Sequence, residues 1–146
     1  MSLQNWQQNS WLVRHTTSRQ EIADLLRIAD RDLTASQTKN LPSDWRLAIA
    51  YNAALQAATA ALAAAGYRAA RDNHHYRVIQ SLEFTIAPDP ELIHVLDAFR
   101  KKRNMSSYDA SGAISDKEAY EMFKIVNSLR ADAETWIGRI HPELLK

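Results

Sequence analysis

The residues of this chain best suited to chemistry lie together between positions 100 and 109. Arg100-Lys101-Lys102-Arg103 is the densest basic cluster, and it runs directly into Asn104-Met105-Ser106-Ser107-Tyr108-Asp109. A guanidinium such as that of Arg103 can grip a carboxylate or a phosphate through two parallel N–H bonds. The amide of Asn104 can orient the group so held. A hydroxyl and a carboxylate, Tyr108 and Asp109, follow a few residues on. Tyrosine ionises at a pH of about 10, so Tyr108 needs a large downward shift to move a proton at neutral pH. Asp109 works as a base only if its pKa is raised. The set therefore keeps the means to hold an anion better than the means to cleave a bond. Arg100, Lys102 and Arg103 are the candidate anion or nucleic-acid contacts.

A plainer reading exists for most of them. Cations in the last turn of a helix complement its dipole, which accounts for Arg100, Lys101 and Lys102 as a solvated helix end. Tyr108 can be an aromatic packed over the core with its hydroxyl on Asp109 or Arg103. Asp109 can cap a loop. Arg103 is different. Leu92, Leu96, Phe99 and Arg103 are spaced 4, 3 and 4 apart, so Arg103 continues the apolar stripe of its own helix. Arginine is seldom buried without a partner, so that position implies a carboxylate or a cleft.

Helices must position these groups. Ser18 and Glu21 have capping-box spacing and start a helix over about 19–34, with Ile22, Leu25, Leu26, Ala29 and Leu33 on one face. Asp24, Arg27, Asp30 and Arg31 lie opposite. Ser43 or Asp44 caps a second helix running to about Ala65, closed by Gly66. Thirteen alanines lie from Ala48 to Ala70, so neighbouring helices can approach closely on more than one side. Leu47, Tyr51, Leu55, Ala58 and Leu62 mark its inner stripe. The segment is long and weakly apolar, but Asn52, Gln56 and Thr59 interrupt it, which fits a buried bundle helix rather than a membrane span. A third helix is capped by Asp72 or Asn73 and faces inward through Tyr76, Ile79, Gln80 and Phe84. Asp89 caps a fourth with Pro90 in its first turn. Ser115 and Glu118 form a second capping box, and Ala119, Met122, Phe123, Val126, Leu129, Ala133, Trp136, Ile137 and Ile140 form a long stripe up to Pro142. The expected fold is all-α, an up-and-down bundle of about five helices over residues 18–146, with residues 1–17 packing on it.

The bulk numbers fit one domain. The chain has 146 residues, 18 basic and 17 acidic side chains and a net charge of +1, so only a local patch can attract a charged partner. The absence of cysteine excludes disulfides, thiolate metal sites and cysteine nucleophiles, and fits a reducing cytoplasm. The polar start, Met1–Ser10, has no apolar run of the signal-peptide kind. His74-His75 is no metal pair, because adjacent helical residues point about 100° apart. No cofactor motif is present. Trp6, Trp11 and Trp45 crowd the first third of the chain, either covering the bundle or forming a partner surface.

The run Arg103-Asn104 followed by Tyr108-Asp109 resembles the signature of the HEPN superfamily, small helical-bundle proteins whose motif is an arginine, a polar residue and a histidine a few residues later. Tyr108 stands at the histidine position, and Tyr-Asp resembles a variant in one branch. Ala50-Tyr51-Asn52-Ala53-Ala54-Leu55-Gln56-Ala57 is similar to the alanine- and tyrosine-rich central helix of that superfamily, and Gly66-Tyr67-Arg68 with His74-His75 to the turn and helix start that follow. The resemblance spans about residues 19–137. It implies a homodimer with motifs facing across a cleft, and either binding of RNA, a nucleotide or a partner, or metal-independent ribonuclease activity with Arg103, Asn104, Tyr108 and Asp109 as the candidate catalytic group. It also implies a toxin–antitoxin or defence setting, with an antitoxin such as a nucleotidyltransferase as partner. A structural assembly bundle is the reading outside the superfamily.

Overall fold

The computed structural model describes residues 1–104 and 114–145, with Arg103 and Asn104 described through their backbone only. Six α-helices and one small two-stranded sheet are present among them: α1 (Leu3–Gln8), β1 (Leu12–Arg14), α2 (Arg19–Ala35), α3 (Ser43–Ala64), β2 (Tyr67–Ala69), α4 (His74–Gln80), α5 (Pro90–Asn104) and α6 (Asp116–Ile140). A 3₁₀ turn over Ser81–Phe84 extends α4, and another over Pro142–Leu144 follows α6. The fold is an all-α helical bundle, as expected.

Helix α3 is its axis. Ala50, Tyr51, Ala53, Ala54, Ala57, Ala58, Ala60 and Ala61 are all completely buried, so the helix is covered on several sides. The long helices α2 and α6 pack on it, and α4 lies against it as well. Alanine's short side chain is what lets backbones come this close. The helix is long and apolar enough to cross a membrane, but most of that surface is already covered within the chain. The inner stripe is as expected, Leu47, Tyr51, Leu55, Ala58 and Leu62 each being buried.

Polar contacts fix the helix directions. Asn52 Nδ2 donates to Asp32 Oδ2 at 2.7 Å, and Arg46 Nε donates to the Ser36 carbonyl at 3.1 Å, so α2 and α3 run antiparallel. Asn52, which interrupts the apolar run of α3, is thus a tether for the buried Asp32. The Ser43 hydroxyl meets the Asp116 carboxylate, which brings the starts of α3 and α6 together. The far ends of both meet Ile22 and Leu26 of α2 in a second apolar cluster with Ala63, Ala64 and Ile137.

The capping signals mostly give the boundaries. The Ser18 hydroxyl accepts from Glu21 N at 3.1 Å. Glu21 does not complete the box, because its carboxylate accepts from Thr17 Oγ1 at 2.5 Å and meets His15 Nε2 at 2.7 Å. Burial works against its ionisation, but these bonds outweigh that and hold its pKa below the usual glutamate value. His15, given no role by the sequence, therefore ties the N-terminal segment to α2. Asp89 Oδ1 accepts from Glu91 N at 2.9 Å with Pro90 as first helical residue. Ser115 and Glu118 form the full capping box at α6. Ser115→Ala is expected to cost about 1 kcal/mol, read as a lower urea midpoint at unchanged slope.

Further expectations need correction. Neither Ser43 nor Asp44 caps α3; Pro42 occupies that place without a side-chain bond, and Ser43 reaches α6 instead. The buried face of α4 and its 3₁₀ extension is Val78, Ile79 and Leu82, while Tyr76, Gln80 and Phe84 are half-buried; the Tyr76 ring lies beside Arg100 and that of Phe84 against Trp6. Ile140 is exposed, whereas the other residues of the α6 stripe are buried or half-buried. The two short strands were not foreseen. β1 pairs antiparallel with β2, Leu12 opposite Ala69 and Arg14 opposite Tyr67.

Candidate functional site

Helix α5 carries the candidate residues, and the physics of its first three turns fixes where they stand. Leu96 is completely buried, and Phe99 packs edge-on against Tyr51 of α3 with ring centroids 5.0 Å apart. Helical spacing then puts Arg103 at the next position of that same register, in the last described turn of α5. Its side chain and that of Asn104, together with Tyr108 and Asp109, lie outside the described residues. So does the predicted meeting of the four.

The rest of the basic run divides into two environments. Lys101 and Lys102 are exposed, as a solvated helix end requires. Their ammonium groups lie 3.5 Å from Asp97 Oδ2 and 3.9 Å from Glu118 Oε2, loose pairs of small energetic weight. Arg100 departs from the solvated reading. Its side chain is 19% exposed, and Nε donates to Asp97 Oδ1 at 2.8 Å. Its guanidinium carbon lies 5.1 Å from the centre of the Tyr76 ring. A guanidinium on an aromatic face with one carboxylate at its edge is held in a fixed orientation. The sequence offers no spacing signal for this, because Tyr76 lies on a different helix.

Two concavities flank this end of α5. Between α5 and α6 runs an open groove of about 810 Å³. Its apolar lining includes Val95, Ala98, Phe99, Met122 and Ile125, and Lys101 and Lys102 of α5 and Lys117, Glu118 and Glu121 of α6 supply its charged residues. On the α4 side a cleft of about 300 Å³ is lined by Asn73, His74, His75, Tyr76 and Arg100. The His74 and His75 rings are 5.9 Å apart at 65°, and both residues are exposed. Among the described residues no group of three or more ligating side chains is placed to hold a metal ion.

The tryptophans of the N-terminal region separate into two kinds. Trp6 is buried, edge-on to both Trp11 and Phe84. Arg77 of α4 lies 3.8 Å from the centre of the Trp11 ring and 5.6 Å from that of Trp6. These contacts fasten the first residues over α4. Trp45, at the start of α3, is 62% exposed.

A third concavity, of about 670 Å³, lies between α2 and α6 at the other side of the bundle. Arg130 spans it, bonded to Asp30 and to Glu134. Burial opposes its charge, but the two carboxylates outweigh that and raise its pKa above the ordinary arginine value. Its fork is committed to that bridge. No protein-family model, curated protein or solved structure matches the chain.

Proposed function

We propose that this protein is a HEPN-like homodimeric binding module that engages RNA or a nucleotide through the phosphate, using the cationic end of α5. The observation that supports the reading is the run of four successive cations closing one helix, with Arg100 held rigidly by Asp97 and Tyr76 at its start. A held guanidinium loses less freedom on gripping a phosphate than a mobile one. Lys101 and Lys102 add unspecific attraction to a polyanion, and Arg103 adds a second fork. Asn104, Tyr108 and Asp109 complete the motif as orienting groups rather than as a proton-transfer pair, because the histidine that would titrate near neutrality is replaced by Tyr108. A toxin–antitoxin or defence role, with a nucleotidyltransferase-type antitoxin as partner, follows from the same resemblance.

The test incubates the purified protein with a labelled 12-nucleotide RNA and reads anisotropy and a denaturing gel together. Binding without cleavage, weakened in Arg103→Ala, is the expected result. Cleavage that needs Arg103 would make the protein a metal-independent ribonuclease, and absence of both signals would remove the RNA reading.

A further inference from the structure

We infer that Arg77 of α4 is a further phosphate-binding site, in which a guanidinium held over the Trp11 ring takes a backbone phosphate of a single-stranded RNA. The inference rests on the RNA reading above and adds a residue outside both the motif and the end of α5. Four arginines are half-buried among the described side chains, Arg46, Arg77, Arg100 and Arg130. Three of them have acceptors for their N–H groups. Arg46 donates to the Ser36 carbonyl, Arg100 to Asp97, and Arg130 to Asp30 and Glu134. Arg77 has rings instead. Its guanidinium carbon lies 3.8 Å from the centre of the Trp11 ring, 5.3 Å from that of Tyr76 and 5.6 Å from that of Trp6. No carboxylate of the described residues lies within ion-pair distance of it. An aromatic face attracts the charge, but it leaves the donors along the guanidinium edge without an acceptor. Those nitrogens are not sealed from solvent.

The surroundings do not supply the missing negative charge. The Arg100 guanidinium lies 5.1 Å from the centre of the same Tyr76 ring, and its partner Asp97 is shared with Lys101 at 3.5 Å. A phosphate brings what Arg77 lacks, paired acceptor oxygens for the fork and a counter-charge. The rings already hold the guanidinium, so gripping a ligand costs it little further freedom. Tyr76 links Arg77 to Arg100, and the track of cations at the end of α5 thereby continues onto α4.

Arginine Nε–H resonances, followed while hexauridylate is added, test this. That of Arg77 is expected to shift to saturation, while those of Arg46 and Arg130 stay in place. Arg77→Gln should bind the same RNA roughly tenfold more weakly, with the slope of log Kobs against log salt flatter by about 0.7. Arg77→Lys keeps the charge over the ring but loses the fork, so it should bind more weakly than the parent at an unchanged slope. That variant separates loss of a phosphate contact from loosening of the N-terminal segment, which would not follow charge. If the RNA binds but the Arg77 resonance does not respond and Arg77→Gln keeps the parent affinity and slope, the site is refuted while the function proposed above stands. If hexauridylate does not bind at all, both fall. If inorganic phosphate shifts the Arg77 resonance at lower concentration than hexauridylate does, the strand contact is overturned and the ligand is free phosphate.

Discussion

Ala58→Leu is expected to destabilise the protein by about 2 kcal/mol, lowering the thermal midpoint by roughly 6 °C. Ala58 is completely buried within the main apolar cluster, among residues of α2, α3, α5 and α6. A helix flanked by others on several sides has no direction in which three extra carbons can move without displacing a neighbour's backbone. Dense interiors do not absorb such volume, because the surrounding side chains already sit in their preferred rotamers. Trp45→Ala, on the same helix but at a largely exposed position, should change stability by no more than about 0.5 kcal/mol. Chemical denaturation of the two variants separates these cases. An Ala58→Leu protein as stable as its parent would mean that the helices around α3 do not approach as closely as its alanines permit.

The second large effect concerns binding. Replacing Lys101, Lys102 and Arg103 together by glutamine should weaken RNA binding at moderate salt by tenfold or more. Lys101 and Lys102 are exposed, and their carboxylate partners lie at loose distances, so the fold loses little when they change. The same reasoning separates them from Arg100. Arg100→Ala removes the partner of Asp97 and the cation on Tyr76, so a part of its effect would be structural. A circular dichroism melt alongside each titration distinguishes loss of grip from loss of fold.

What the sequence made legible follows the range of each interaction. Ser115 with Glu118, and Asp89 with Pro90, are signals within one helical turn, and both mark real helix starts. The stripe of α3 is likewise local, a matter of helical period. Interactions across long separations left no such trace. Leu12–Arg14 and Tyr67–Ala69 are three-residue strands, too short for an alternating pattern, and they pair only because the fold brings them together. Asn52 reads as an interruption until Asp32 is seen beside it, 20 positions away. The tie between Arg77 and Trp11 is of the same kind.

The candidate site shows the same division. The register of Leu96, Phe99 and Arg103 on α5 could be read from spacing, and the burial of Leu96 and Phe99 agrees with it. That Arg100, one position before Lys101, is the cation fixed by an aromatic ring could not be read, because Tyr76 belongs to α4. Nor did His74-His75 suggest more than a helix start. Only the approach of α4 to α5 puts those rings on the same cleft as a guanidinium.

The central claim is that several cations at one helix end meet phosphates, and the salt dependence of RNA binding measures this most directly. Each phosphate contact on a single strand contributes about −0.7 to the slope of log Kobs against log salt. Three or four contacts should give a slope of about −2 to −3, and the Lys101/Lys102/Arg103 glutamine variant should flatten it by about 2. Tight binding with a slope near zero, or a slope that the triple variant leaves unchanged, would contradict the account.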